Sequence, residues 1–203
     1  MIRFAGCLLC LMGTFAGALE LPPLPEQPLA SLRPHPRLMM DAPALEALRK
    51  QHASDEALRK YVDDVLAQAN EYLEAPPLTY DIVGPRLLHV SRNCLRRIYA
   101  LAFAWRWTED PRYSEAALDN VRTVCAFKNW NHSHFLDTAE MAHAVAIAYD
   151  WLQPVLAEED KALMREAIRK HAFEKGFWEY EKWTGWPDSE HNWNQVCNSG
   201  LLI

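Results

Sequence analysis

The sequence predicts an all-α protein, an incomplete α/α toroid built of helical hairpins and truncated at its C-terminus. Three observations carry that expectation. Glycine is scarce, 7 of 203 residues, while Ala, Leu, Glu and Arg abound, a composition that favours helices. Apolar residues recur at helical spacing in segment after segment, with Asp or Ser at their starts and Pro in their first turns. Strand-like alternation is rare, and no strict repeat of the solenoid kind is present.

The elements follow in order. "MIRFAGCLLCLMGTFAGALE" has one early cation at Arg3, an apolar run from Phe4 to Phe15 and a small-x-small site at Ala16-Gly17-Ala18. That pattern is a secretory signal peptide, residues 1–18. Residues 19–40 are a Pro-rich extended lead-in, ending in "HPRLMMD". Residues 41–203 form the helical domain. Asp41 caps a first helix, with Pro43 in its first turn, running to about His52. Ser54 caps a second helix, whose stripe is Leu58, Tyr61, Val62, Val65, Leu66 and Ala69. "APPLTYDIVGP" ends it.

A long third helix runs from about Arg86 to Trp107. Asp110 and Pro111 open a fourth through Tyr113, Ala117, Val121 and Val124. "FKNWNHSHF" is a loop. A very apolar helix starts near Asp137, capped by Asp137 or Thr138, with Tyr149 among its core residues. Glu158 to His171, continued by Phe173 to Lys182, gives the next. "WTGWPDSEH" is a second loop, and Asn192 caps a last helix. That helix stops at Ile203 with its apolar stripe unfinished, hence the expected truncation.

Charge and cysteines narrow the function. Formal net charge is −6, which argues against a broad nucleic-acid footprint. Signal cleavage removes Cys7 and Cys10 and leaves Cys94, Cys125 and Cys197, each in an apolar helical setting, so no disulfide framework is expected. After that cleavage no membrane attachment is expected either.

In a toroid of hairpins alternate loops share a face, so the two polar, aromatic loops line one cleft. Trp130, His132, His134, Trp183, Trp186 and Trp193 are its candidate substrate-binding residues, since Trp faces stack on sugar rings. His132, His134, Asp137 and Glu140 lack a recognised metal-ligand spacing, and no metal or cofactor is expected. Arg86, His89 and Arg92 recur on one helix face. The amides Asn192, Asn194, Gln195 and Asn198 are harder to explain in an apolar helix, because buried amides need partners. With His191, they suit a polar ligand, and a helix N-terminus suits a carboxylate.

"HPRLMMD", "SHFLDTAEMAHAVAIAYDWL" and "HNWNQVCNSGLLI" together resemble the N-terminal helical domain of the heparinase II/III-like proteins, which are similar in fold to alginate and chondroitin AC lyases. The resemblance spans about Pro34 to Ile203. It implies an incomplete α/α toroid, normally followed by a β-sandwich-type domain. It also implies a secreted or periplasmic lyase acting on an acidic polysaccharide by β-elimination. On that reading Asn192 neutralises the uronate carboxylate, with His191 and Asn194 as catalytic neighbours. The family often has His after the neutralising Asn. Here Trp193 follows, and Trp accepts no proton. The family's catalytic Tyr falls beyond residue 203. Two other classes remain open. An α/α-barrel hydrolase would draw two carboxylates from Glu140, Asp188 and Glu190. A non-catalytic carbohydrate-binding or scaffold module would need only the Trp-rich loops.

Overall fold

Among the described residues every element is helical, and the one strand-like feature is an isolated bridge between Val83 and Arg86. The computed structural model describes residues 32–182 and 185–203, and residues 34–203 form one unit. The expected signal peptide, and most of the lead-in, lie outside the described residues. No described helix is long and apolar enough to cross a membrane.

The helices begin where side chains can satisfy free amides. In α1 (Ala42–His52) the Asp41 carboxylate accepts from Ala44 N at 3.0 Å, with Pro in the first turn. In α2 (Glu56–Leu73) the cap is Asp55, which accepts from Leu58 N at 2.9 Å. The expected cap, Ser54, instead turns its hydroxyl to Gln51 O. The carboxylate one residue on reaches the free amide, and that bond holds Asp55 below the usual carboxylate range. Val62 and Ala69 are buried on α2 as expected, but Tyr61 is 70% exposed, because α2 lies at the edge and buries a narrower face than its apolar pattern offers.

The centre is a parallel layer. As α3 (Leu88–Thr108) advances, its partners on α5 (Phe135–Trp151) advance too: Leu87 N to Asp137 Oδ2 at 2.6 Å, Ser91 Oγ to Glu140 Oε2 at 3.3 Å, Tyr99 OH to His143 Nε2 at 2.7 Å. The same holds between α5 and α8 (Asn192–Leu202). The His134 and Trp193 rings meet at 4.7 Å at the start, and Gly200 lies on the Ala139 backbone further along. Three helices therefore run side by side in one direction, with their N-termini at one end.

The returns run outside this layer. Only Glu109 and Asp110 link α3 to α4 (Pro111–Cys125), so the chain must reverse. Asp110 caps α4 by accepting from Arg112 N at 3.0 Å, as the sequence leads one to expect. The second return is continuous: α6 (Glu158–Ile168), a π-helical stretch over Arg169–Phe173, then α7 (Glu174–Lys182). Arg122 clamps α4 to α6 with two 2.8 Å bonds to Asp160, and these hold the Asp160 carboxyl below its ordinary range.

Helix α5 is flanked by α3, α4, α6 and α8, which explains a mostly apolar sequence interrupted on one side by half-buried Glu140 and His143. Met141, Val145 and Ile147 are fully buried there. Each such side chain contributes roughly 1.5–3 kcal/mol. Tyr149, expected in the core, is only half-buried, and its hydroxyl accepts from Arg165 at 3.0 Å. At the far end of α5, buried Asp150 ties down the "HPRL" segment. It accepts from Arg37 N at 2.9 Å and Leu38 N at 2.9 Å, and meets His35 Nδ1 at 2.5 Å. Cys94, Cys125 and Cys197 are free and buried, and burial raises all three thiols, the latter two to about 12.

Candidate functional site

The parallel layer brings three loops to one end: those before α3, α5 and α8. At their junction lies Asp137, fully buried in the first turn of α5. It does not cap that helix, which begins two residues earlier at Phe135. Its Oδ2 accepts from Leu87 N at 2.6 Å and from Asn131 Nδ2 at 2.7 Å. Its Oδ1 meets His134 Nδ1 at 2.8 Å. A carboxylate can only accept, so Nδ1 donates to it, and in the neutral imidazole the lone pair then sits on Nε2. Asn131 holds a left-handed backbone at φ 56°, a conformation Asn tolerates, and it also donates to Pro85 O at 2.8 Å. Asn129 extends the network by accepting from Tyr80 OH at 2.7 Å and Asn131 N at 2.9 Å.

His134 is thus locked in one tautomer and orientation, with its ring at 79° to Trp193 of α8. This is the arrangement that prepares an imidazole to take a proton. The sequence contained its signal in the i, i+3 spacing of His134 and Asp137, which the turn before α5 converts into a pair.

The other expected site residues separate into three groups. His191 and Asn192 are exposed at the start of α8, and Asn192 makes no hydrogen bond among the described residues. The cap of α8 is His191, whose Nδ1 accepts a long 3.4 Å bond from Trp193 N, so the expected Asn192 cap is corrected. Asn192 is thereby free for other work. Asn194, by contrast, donates to Pro187 O at 2.7 Å, and Asn198 donates to Asn194 O while accepting from Tyr180. Asn194 thus ties the preceding turn to α8, and Asn198 ties α8 to α7.

The tryptophans divide as well. Trp130 is fully buried, its Nε1 donating to Val124 O at 2.9 Å, and its ring meets His171 at 5.3 Å. Trp186 is 3% exposed and stacks on Phe135 at 4.8 Å. Neither offers a face to a sugar, a correction to their expected role: both rings fill the space where loop meets layer, and apolar area outweighs their one polar atom. Trp193 is half-buried, His132 is exposed, and Trp183 lies outside the described residues.

Below this end the layer carries a cleft of about 270 Å³ lined by Leu95, Glu140, His143, Gln195 and Ser199. Three stripes converge there: Arg92, Leu95 and Tyr99 from α3, Glu140 and His143 from α5, Gln195 and Ser199 from α8. Asn192 is three residues before Gln195 and heads the same stripe. Arg92 Nε donates to Glu140 Oε1 at 3.1 Å. Burial raises the Glu140 carboxyl above its ordinary range, opposed by Arg92 and Ser91. Burial also lowers His143 and raises Tyr99, which favours the neutral pair. The sequence reading missed Tyr99 and His143. Their cue was spacing from Arg92 and Glu140, but only the parallel pairing makes it count. Of the carboxylates considered for hydrolysis, Asp188 and Glu190 are exposed.

These histidines set a pH dependence. Burial lowers His143 and His171 below the ordinary 6.5, so the unfolded chain takes up protons that the folded one refuses. Their contribution is present above 6.5 and is lost as pH falls below it. Glu140 works oppositely, since its raised value favours the folded state at acid pH. The urea midpoint is expected to fall from about pH 7.5 to about pH 5.5, with a shallower fall in His143→Gln.

No family model matches the chain, and no curated protein matches it, so the functional reading rests on this geometry and on the motifs.

Proposed function

We propose that the chain forms one wall of the catalytic cleft of a secreted or periplasmic polysaccharide lyase, which cleaves a uronic-acid polymer by β-elimination. The observation that carries this reading is the buried Asp137, which orients His134 beside the start of α8, where Asn192 is unengaged. Elimination needs two things at once. A base must take the proton at C5, and donors must stabilise the charge that spreads onto the neighbouring carboxylate. His134 Nε2 serves as the base. The Asn192 amide, with His191 next to it, faces the carboxylate. The C5–H electrons form the C4–C5 double bond, the C4–O bond breaks, and the leaving oxygen takes a proton from an acid that the resemblance implies is Tyr.

The fold supports the same reading. Parallel inner helices with outer returns are the building plan of an α/α toroid. The cleft lined by Glu140, His143 and Gln195 lies along the same layer. Burial of Trp130 and Trp186 weakens the stacking-platform alternative.

The test is to incubate the protein with polyuronates and follow the absorbance of the new conjugated double bond. Asn192→Ala is expected to lower kcat more than it weakens binding, by roughly 10²-fold for one lost charge-stabilising donor. Unchanged turnover in that variant removes Asn192 from the mechanism.

A further inference from the structure

At the opposite end of α3, on the order of 25 Å along the helix at ~1.5 Å per residue, lies a second cleft. It has a volume of about 440 Å³, and its walls include Pro36, Leu45, Trp105, Trp151 and Pro154. Arg106 lines it and is 7% exposed. Among the described residues its guanidinium makes no hydrogen bond, and Nη1 is buried without a partner. A guanidinium N–H group buried without a partner is a rare exception to the pairing of buried polar groups.

The neighbouring charges are already engaged. Arg49 donates to Glu46 at 2.9 Å and to the carbonyls of Arg106 and Trp107 at 2.8 and 3.0 Å. Asp150 is occupied by His35 and the Arg37 and Leu38 amides. What holds Arg106 is the Trp151 ring, 5.1 Å beneath it. Burial lowers its basicity, and the charges of Asp150 and Asp41 oppose that only in part.

We propose that this cleft binds a small monocarboxylate with a flat apolar body: the carboxylate pairs with Arg106 and the body lies among the tryptophans and prolines. A planar guanidinium matches a carboxylate through two parallel bonds. The walls are too apolar for a bare inorganic anion to be the favoured occupant. A polyanion is disfavoured because Glu109 and Glu46 stand at the same cleft. The site is independent of the lyase reading, since it shares no residue with it.

Benzoate is the probe and benzyl alcohol its uncharged control. Binding is followed by the Trp151 indole N–H resonance, which reports the cleft because that N–H donates to Leu38 O at 3.1 Å, and by the thermal midpoint. Benzoate is expected to shift both, with benzyl alcohol at least about tenfold weaker, the loss of one charge-assisted pair. Arg106→Met keeps the apolar stem on Trp151 and is expected to lose the benzoate shift. No response to benzoate, equal binding of benzyl alcohol, or an undiminished response in Arg106→Met overturns the proposal. If Arg106→Met does not fold, the comparison of the two probes on the unaltered protein decides alone.

Discussion

Gly200→Ala is expected to destabilise the protein by up to about 2 kcal/mol, although alanine is the better helix former. The propensity gain is roughly 1 kcal/mol. Against it stands a collision. A Cβ at position 200 would lie 2.4 Å from Ala139 O and 2.7 Å from Ala139 C. Those are backbone atoms in the most enclosed helix, so relief requires α8 to move away from α5. Overpacking of this kind costs about 1–3 kcal/mol, occasionally more, and here it also disturbs the wall of the Glu140–His143 cleft. Gly176 supplies the control. Its added Cβ would meet Leu201 Cδ1 at 2.8 Å, the far end of a flexible side chain. Gly176→Ala is therefore expected to stay within about 1 kcal/mol of the parent. Urea unfolding of the two variants checks both values, and equal stability would remove the α5–α8 contact from the account.

His134→Gln carries the largest expected loss of activity. Glutamine can still donate to Asp137, so the loop network keeps an N–H where Nδ1 stood, but it cannot take a proton. Removing a positioned general base lowers turnover by about 10²–10⁴-fold. Binding should change little, so the loss falls on kcat rather than KM. A purely structural His–Asp tie predicts the reverse: lower stability and turnover of the folded fraction near the parent. Unfolding and kinetics measured on the same preparation separate the two.

Much of the helical order was legible in the residues because its causes are local. Asp41 with Pro43, and Asp110 with Pro111, each mark a helix start through a cap and a preset φ. The errors arise where a distant partner decides. Asp137 looked like a cap, yet Leu87, fifty residues away, and Asn131 in the preceding loop claim its Oδ2. Trp130 and Trp186 looked like loop residues, but the layer beneath draws them in. Tyr61 continues a helical stripe that no neighbour covers. Of the amides near α8, Asn194 and Asn198 have ordinary structural partners, whereas Asn192 and Gln195 are exposed and unengaged among the described residues. The His134–Asp137 pair was visible as spacing, but its meaning as a base depends on the parallel docking of α3, α5 and α8. Tyr99, His143 and Arg106 depend on that docking even more: the spacing of the first two acquires meaning only once α3 and α5 are paired.

The most direct measurement is the product of the protein acting on a polyuronate, compared with His134→Gln. The account predicts chains with unsaturated uronate ends, seen as new ultraviolet absorbance, and their near-disappearance in the variant. Saturated reducing ends, or tight polymer binding with no product from the folded parent, would contradict it.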